Sequence, residues 1–131
     1  MEKQNIEYKS IWKDKYLISI CAFANTAGGK LFIGKDDNGN TIDPSKPNAK
    51  GIMLGLTETT AVELLDKIPK KITSLLGIVA EVSLHTEQIG NYIEITVVPY
   101  NNAISYDSDY YVAKKALVNS IQSRYRQCFF P

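Results

Sequence analysis

Residues 21–40 read CAFANTAGGKLFIGKDDNGN, and this stretch decides the fold. Its apolar start continues a run in which hydrophobic side chains recur every three or four residues, which predicts a largely buried helix over 14–25. Gly28 and Gly29 are predicted to end this helix, because glycine adopts the left-handed conformation common at helix C-termini. A strand over KLFIGKDD and a hairpin turn at Asn38-Gly39 are predicted to follow.

The glycine pair has two interpretations, a phosphate cradle or a tight turn. Phosphate-binding glycine motifs lie between a strand and a following helix, whereas here the predicted helix comes first and a strand follows. The C-terminal end of a helix also carries the negative end of the helix dipole, which repels an anion. The order of elements therefore favours a plain turn.

The rest of the chain predicts several strands and one more helix. Strands are predicted over 5–10, 78–86, 91–100 and 109–113, and a second helix over 57–76. Pro69 is predicted to kink or split that helix near Lys67. Residues 43–56 contain two prolines and two glycines and are predicted to be irregular. The whole predicts an α+β fold, a mainly antiparallel sheet packed against two principal helices, in one domain over 1–131.

Composition limits the possible functions. The chain has 131 residues, is 44% hydrophobic and carries a net charge of +1, so any basic binding surface must come from local clustering of lysines. Cys21 and Cys128 lack metal-ligand spacing, which favours a reduced, cytoplasmic protein. The sequence has no apolar run as long as a membrane span, so no membrane partner is predicted.

Basic residues form small groups along the sequence. Phosphates attract lysines and bases stack on aromatic rings, so these groups are candidate nucleic-acid contacts, with a solvated surface as the alternative for each group. The candidate binding residues are Lys9, Lys13, Lys15, Lys70, Lys71, Lys114 and Lys115. His85, the only histidine, lies in an alternating strand and is predicted to face solvent rather than to bind a ligand.

Acidic residues flank the first two predicted strands. Glu2 and Glu7 lie at the first strand, and Asp36 and Asp37 end the second. If those strands are neighbours, their carboxylates could hold Mg²⁺ or Mn²⁺ and position a water for attack on a phosphodiester. On spacing alone, a metal site is less favoured than the simpler interpretation, in which the aspartates stabilise the turn and the glutamates face solvent.

The stretches NIEYKS and CAFANTAGGKLFIGKDDNGN resemble the Schlafen AlbA-type domain, also called the divergent AAA domain, of bacterial transcriptional regulators. The resemblance covers about 2–112, and the tail 113–131 is atypical. The family's fold signature corresponds to Asn25, Thr26, Gly28, Gly29 and Gly34. The chain departs from the family at YYVAKKALVNSIQ, where a YYxRSGS-like segment is expected, and at an insertion, TIDPSKPNAKGIMLG.

The resemblance implies a DNA-binding domain of a transcriptional regulator, with DNA favoured over RNA. One alternative is a metal-dependent endoribonuclease, because some eukaryotic Schlafen proteins cleave RNA with three carboxylates that match Glu2, Glu7 and Asp37. These three are then the candidate catalytic and metal-binding residues, and Mg²⁺ or Mn²⁺ the cofactor. A further alternative is a degenerate protein-interaction module. Exposed strand edges and the tail at Phe129-Phe130 predict a homodimer.

Overall fold

The protein is described here by a computed structural model over residues 5–113 and 126–128. The strands are β1 (Ile6–Lys9), β2 (Gly29–Ile33), β3 (Glu81–Thr86), β4 (Asn91–Val97), β5 (Ser105–Tyr106), β6 (Asp109–Ala113) and β7 (Arg126–Cys128), and the α-helices are α1 (Leu17–Ala24) and α2 (Glu58–Leu76). A 3₁₀ turn, Asp14–Tyr16, leads into α1. The predicted α+β fold is confirmed.

The first sheet is mixed, in the order β1-β2-β4-β3. β1 and β2 are parallel, and α1 forms the crossover between them. β2–β4 and β3–β4 are antiparallel, as the predicted hairpin between β3 and β4 requires. Alternation along the strands places Leu31, Ile33, Ile93 and Ile95 on one buried face, which forms the core with both helices.

The two helices are buried to different extents for reasons visible in their sequences. α1 is apolar around its whole circumference and contacts strands of both the first sheet and the second sheet, β5-β6-β7. α2 is amphipathic and buries one stripe against the first sheet, made of Ala61, Leu64, Ile68, Ile72 and Leu76. In the described ranges, no helix combines the length and the apolar character needed to cross a bilayer.

Several predicted elements differ from the structure, since β2 ends at Ile33 and β4 at Val97, before the predicted residues 37 and 100. α1 is shorter than the predicted 14–25, because its first turn is 3₁₀. The predicted split at Pro69 is wrong: α2 is continuous, and Ile68 and Ile72 on either side of the proline are fully buried, so packing holds the helix together. β3 begins at Glu81 rather than at residue 78, because the backbone of Val79 bonds the Tyr100 hydroxyl (3.0 and 3.1 Å) instead of a strand.

Candidate nucleic-acid interface

The glycine pair forms the predicted helix-to-strand turn. Gly28 has a φ of +79°, and its N–H donates to the Phe23 carbonyl oxygen at 2.9 Å, so this amide is not free to bind a phosphate. A Cβ at Gly28 would lie 2.6 Å from the Val97 carbonyl oxygen, and one at Gly29 would lie 2.5 Å from the Phe23 ring. Both glycines are therefore required by close packing of the turn against β4 and α1.

Asn25 joins α1 to the segments that lead into the second sheet. Its side-chain amide donates to the carbonyl oxygens of Ile104 (2.7 Å) and Tyr111 (2.9 Å), and its Oδ1 accepts from the Ile104 N–H at 2.7 Å. The Thr26 hydroxyl donates back to the Ala22 carbonyl oxygen at 2.8 Å. The Asn-Thr pair of the fold signature is therefore structural, and ties the end of α1 to the second sheet.

Glu7 points into the core from β1. Its residue surface is only 1% exposed, and the Lys9 ammonium lies 3.2 Å from its Oε1. Lys9 also lies over the Tyr16 ring, 4.9 Å from its centroid. Burial, and secondarily the charge of Glu7, raise the pKa of Tyr16. The second carboxylate oxygen of Glu7 is buried and accepts no hydrogen bond from any residue that the structure describes.

The two aspartates of the hairpin turn have different roles. Asp36 Oδ1 accepts hydrogen bonds from the backbone N–H groups of Asn38 (3.0 Å) and Asn40 (2.9 Å), so the Asp36 side chain stabilises the turn. Asp37 is exposed and lines a cleft of about 280 Å³ beside the ends of β1 and β2, together with Lys9 and Lys35.

The predicted carboxylate trio is only partly visible. Glu2 lies outside the described residues, Glu7 faces the core, and Asp37 lies in the cleft. Glu7 offers an unpartnered oxygen of the kind that Mg²⁺ prefers, although the Lys9 ammonium already neutralises much of its charge. Within residues 5–113 and 126–128, no three acidic, histidine or cysteine side chains gather in one place. The metal site stays a prediction.

Lysines from two distant segments meet beside the 3₁₀ turn. Lys71 of α2 donates to Asp14 at 3.0 Å, and this side-chain contact links α2 to the turn that carries Lys13 and Lys15. We name this group the basic cluster; its members are Lys13, Lys15, Lys67, Lys70 and Lys71. Hydrogen bonds from Lys71 and Trp12, together with the charges of Lys71 and Lys67, hold the pKa of Asp14 below its usual range.

The basic cluster is a local concentration of positive charge, which a basic binding surface needs in a chain with so small a net charge. Its five lysines are opposed within it by two aspartates, Asp14 and Asp66, in a chain whose net charge is +1. Lys13, Lys15, Lys67 and Lys70 are exposed, so their ammonium groups are accessible to phosphates. Lys9 is committed to Glu7, and Lys114 and Lys115 lie outside the described residues.

The face of the first sheet opposite the helices carries one ring from each strand. Tyr8, Phe32, Tyr92 and His85 follow one another across β1, β2, β4 and β3, with centroids 5.5, 6.1 and 4.7 Å apart. We name these four side chains the ring row. Each is partly exposed, and the His85 side chain is 40% exposed, which agrees with its predicted solvent-facing position. The Lys35 ammonium lies 4.0 Å from the Tyr92 centroid.

Sequence reasoning missed the ring row. Alternation along β2 and β4 is the signal that could have found it, since Phe32 and Tyr92 fall between buried residues on their strands and therefore share the opposite face. Lys35 was also missed, because its role depends on the Phe32 and Tyr92 rings beside it and those rings had not been recognised.

Glu94 links three strands on the same face. Its carboxylate accepts from Lys30 of β2 at 2.6 Å and lies 3.1 Å from His85 of β3. The hydrogen bond from Lys30 is the main reason that the pKa of Glu94 lies below its usual range. A carboxyl group whose pKa is lower in the folded than in the unfolded protein stabilises the fold at pH values above its unfolded pKa. This stabilisation is lost as the pH falls through its folded pKa.

Glu94→Gln is therefore expected to destabilise the protein modestly at pH 7, and the difference from wild type is expected to shrink as the pH falls through the folded pKa of Glu94. Urea unfolding at pH 7, 5 and 3 measures this. Glu63→Gln, on the exposed face of α2, is the matched control and is expected to show no such pH-dependent difference. A Glu94→Gln penalty that persists unchanged at pH 3 would contradict the assignment.

The fold defines an α+β domain with a mixed four-stranded sheet, and the sequence places it in a family. It matches the family described as Schlafen, AlbA_2 over residues 2–122, and the chain belongs to that family. The match extends beyond the predicted limit at residue 112. No protein with a curated description matches the chain.

The fold also occurs in solved structures, of which two are similar to this chain over most of its length. The N-terminal domain of a RecG-related protein from Nitrosomonas europaea is 18% identical, with a TM-score of 0.59, and the match covers 99% of this chain and 82% of that one. The DIP2311 protein from Corynebacterium diphtheriae is also 18% identical, with a TM-score of 0.55 over 80% of this chain. This chain spans only 20% of the length of the Corynebacterium protein.

Proposed function

We propose that the chain is a nucleic-acid-binding domain that contacts duplex DNA through the basic cluster. The observation that carries the proposal is the contact between Lys71 and Asp14, which joins lysines more than fifty positions apart in the sequence into one exposed group. Phosphate contacts supply most of the affinity of proteins for nucleic acid without sequence preference. The family also supports this function, since resemblance to the Schlafen AlbA-type domain implies nucleic-acid binding.

DNA is the proposed target. The Nitrosomonas europaea protein is described as related to an ATP-dependent DNA helicase, and a domain of its fold on a DNA-acting protein favours DNA over RNA. A role in transcriptional regulation, a cytoplasmic location and a homodimer remain proposals. Phe129 and Phe130, on which the predicted dimer partly rests, lie outside the described residues.

Filter binding of a labelled DNA duplex tests the proposal. We expect binding at low salt that weakens steeply at moderate salt, because each phosphate contact releases a bound counterion. Lys13→Gln with Lys67→Gln is expected to weaken binding about tenfold and to reduce the salt slope by about 2. These substitutions leave the contact between Lys71 and Asp14 in place.

The matched control is Lys46→Gln with Lys50→Gln, which removes the same charge from an exposed loop. We expect it to change the affinity less than about twofold, a simple effect of net charge. Equal weakening by both pairs would show that binding is not localised to the basic cluster. Absence of duplex binding at low salt would contradict the proposal and favour a protein-interaction module.

A metal-dependent endoribonuclease is the second candidate function. The unpartnered buried oxygen of Glu7 favours it, as does the cleft where Asp37 lies beside two lysines. A bound Mg²⁺ or Mn²⁺ would supply an activated water, while Lys35 is placed to meet a phosphate. Labelled transfer RNA with Mn²⁺, then with chelator, tests it: metal-dependent cleavage lost in Glu7→Gln and Asp37→Asn supports this function, and intact RNA excludes it.

A further inference from the structure

The ring row differs from an ordinary exposed sheet face. All four strands of the first sheet contribute one aromatic or imidazole ring, at neighbouring positions in the register, so that the row crosses the whole sheet. His85 and Tyr92 are stacked within 10° of parallel, and Phe32 is tilted between Tyr8 and Tyr92. None of these rings belongs to the basic cluster or to the core, so the proposed duplex contacts leave them unused.

A cation lies at the centre of this row. The Lys35 ammonium is 4.0 Å from the Tyr92 centroid and 5.5 Å from the Phe32 centroid. Its hydrogen bond is to the Gly39 carbonyl oxygen at 3.1 Å, and it forms no ion pair in the part of the chain that the structure describes. Lys30, on the same face, is in contrast paired with Glu94 at 2.6 Å. The row therefore combines π-faces with one cation that no carboxylate neutralises.

We propose that the ring row is a stacking surface for single-stranded nucleic acid, with bases on Phe32 and Tyr92 and a phosphate on Lys35. Every base has a π-face, so aromatic rings with an adjacent cation suit single strands of any sequence. Four-stranded sheets use strand aromatics to stack two or three bases in this way. The inference rests on the proposed nucleic-acid function and gives it a second substrate class.

Binding requires one local change. The Lys35 ammonium now covers a face of the Tyr92 ring, the position that a base would take. When a strand binds, the flexible lysine moves from the ring to the adjacent phosphate and the base replaces it on the ring. A duplex does not make this exchange, because its bases are already stacked on one another and hidden from the rings. Duplexes and single strands are thus expected to use different surfaces.

Fluorescence anisotropy with two labelled 12-mers of equal charge isolates the stacking. One is oligo-dT, and the other is an abasic strand that has the same phosphates but no bases. We expect wild type to bind oligo-dT about tenfold more tightly than the abasic strand, because stacking is lost with the bases. An oligo-U strand shows whether RNA serves equally, since stacking does not depend on the sugar.

Phe32→Leu with Tyr92→Leu is expected to reduce the preference for bases to near unity while leaving abasic and duplex binding unchanged. Leucine keeps the apolar bulk and removes the π-face, and thermal unfolding confirms that the variant is folded. The control is Thr96→Ala, on the same face of β4, which is expected to keep the tenfold preference.

Three outcomes would overturn the inference. Equal affinity of wild type for oligo-dT and the abasic strand removes the stacking surface, while duplex binding through the basic cluster still stands. Failure to bind any of these single strands overturns the inference alone, and failure to bind a DNA duplex as well overturns both proposals. If wild type shows no preference for bases but self-associates, and the leucine variant does not self-associate, the ring row instead contacts a second copy of the chain.

Discussion

Asn25→Asp is expected to destabilise the fold by about 4 kcal/mol at neutral pH, a large part of the stability of a domain this size. The substitution keeps the shape of the side chain and the bond from the Ile104 N–H. It replaces the amide that donates to the carbonyl oxygens of Ile104 and Tyr111 with a carboxylate oxygen. Two partly buried carbonyl oxygens then lose the amide donor of residue 25 and face a negative charge, although the Cys21 thiol still donates to the Ile104 oxygen at 3.1 Å.

The same substitution has a characteristic pH dependence. Because the folded state disfavours the charged form, the pKa of the new carboxyl is raised above its unfolded value of about 3.9. The destabilisation is present at neutral pH and shrinks as the pH falls through the folded pKa, where the proton restores one donor. Urea unfolding at pH 7 and pH 4 measures this, with Asn102→Asp, at an exposed position, as control. Equal stability of the two variants at pH 7 would disprove the role of Asn25.

Gly34→Ala is expected to cost about 3 kcal/mol, through backbone strain and a clash. Gly34 has a φ of +101°, and its N–H donates to the Lys9 carbonyl oxygen at 2.7 Å, so the residue cannot easily shift. A Cβ there would lie 2.6 Å from the Asn91 carbonyl oxygen, a backbone atom of β4.

Gly51→Ala separates the two causes. Gly51 has a φ of +78°, but a Cβ there meets nothing within 4 Å, so only strain of about 1 kcal/mol is expected. The difference in the free energy of unfolding between the two variants therefore measures the clash of residue 34 with β4. If both substitutions cost the same, the close approach of Gly34 to Asn91 is not a constraint on the fold.

Local sequence patterns were sufficient for much of the fold. α2 has a regular apolar stripe, and Thr57 caps its first turn by accepting from the Thr60 N–H at 3.2 Å. Alternation in β4 predicted its buried face, and the glycine pair predicted the end of α1. These signals are local, because each depends on the period or the backbone preference of a few consecutive residues.

The candidate site depends on contacts that are not local. β1 is only four residues long, and its pattern does not reveal that Glu7, rather than Ile6 and Tyr8, faces the core. Lys9, two residues along the same strand, offsets the charge of Glu7, but the burial itself comes from the core that packs against β1. A solvated glutamate and a buried one therefore look alike in the sequence.

The basic cluster shows the same limit. Its lysines were recognised as two separate groups, and each group alone suited a solvated surface as well as a binding site. Only the contact of Lys71 with Asp14 joins them, and nothing in the sequence near either residue indicates that these two side chains meet. The function class came from the family resemblance, and the location of the surface came from the structure.

Amide chemical-shift mapping tests the central claim most directly. Titrating the ¹⁵N-labelled chain with a short DNA duplex reports every backbone position that senses binding. We predict that the largest shifts fall at Lys13, Lys15 and 67–71, that they disappear with added salt, and that the loop at 46–53 stays unchanged. Shifts confined to that loop, or no shifts at low salt, would contradict duplex binding through the basic cluster.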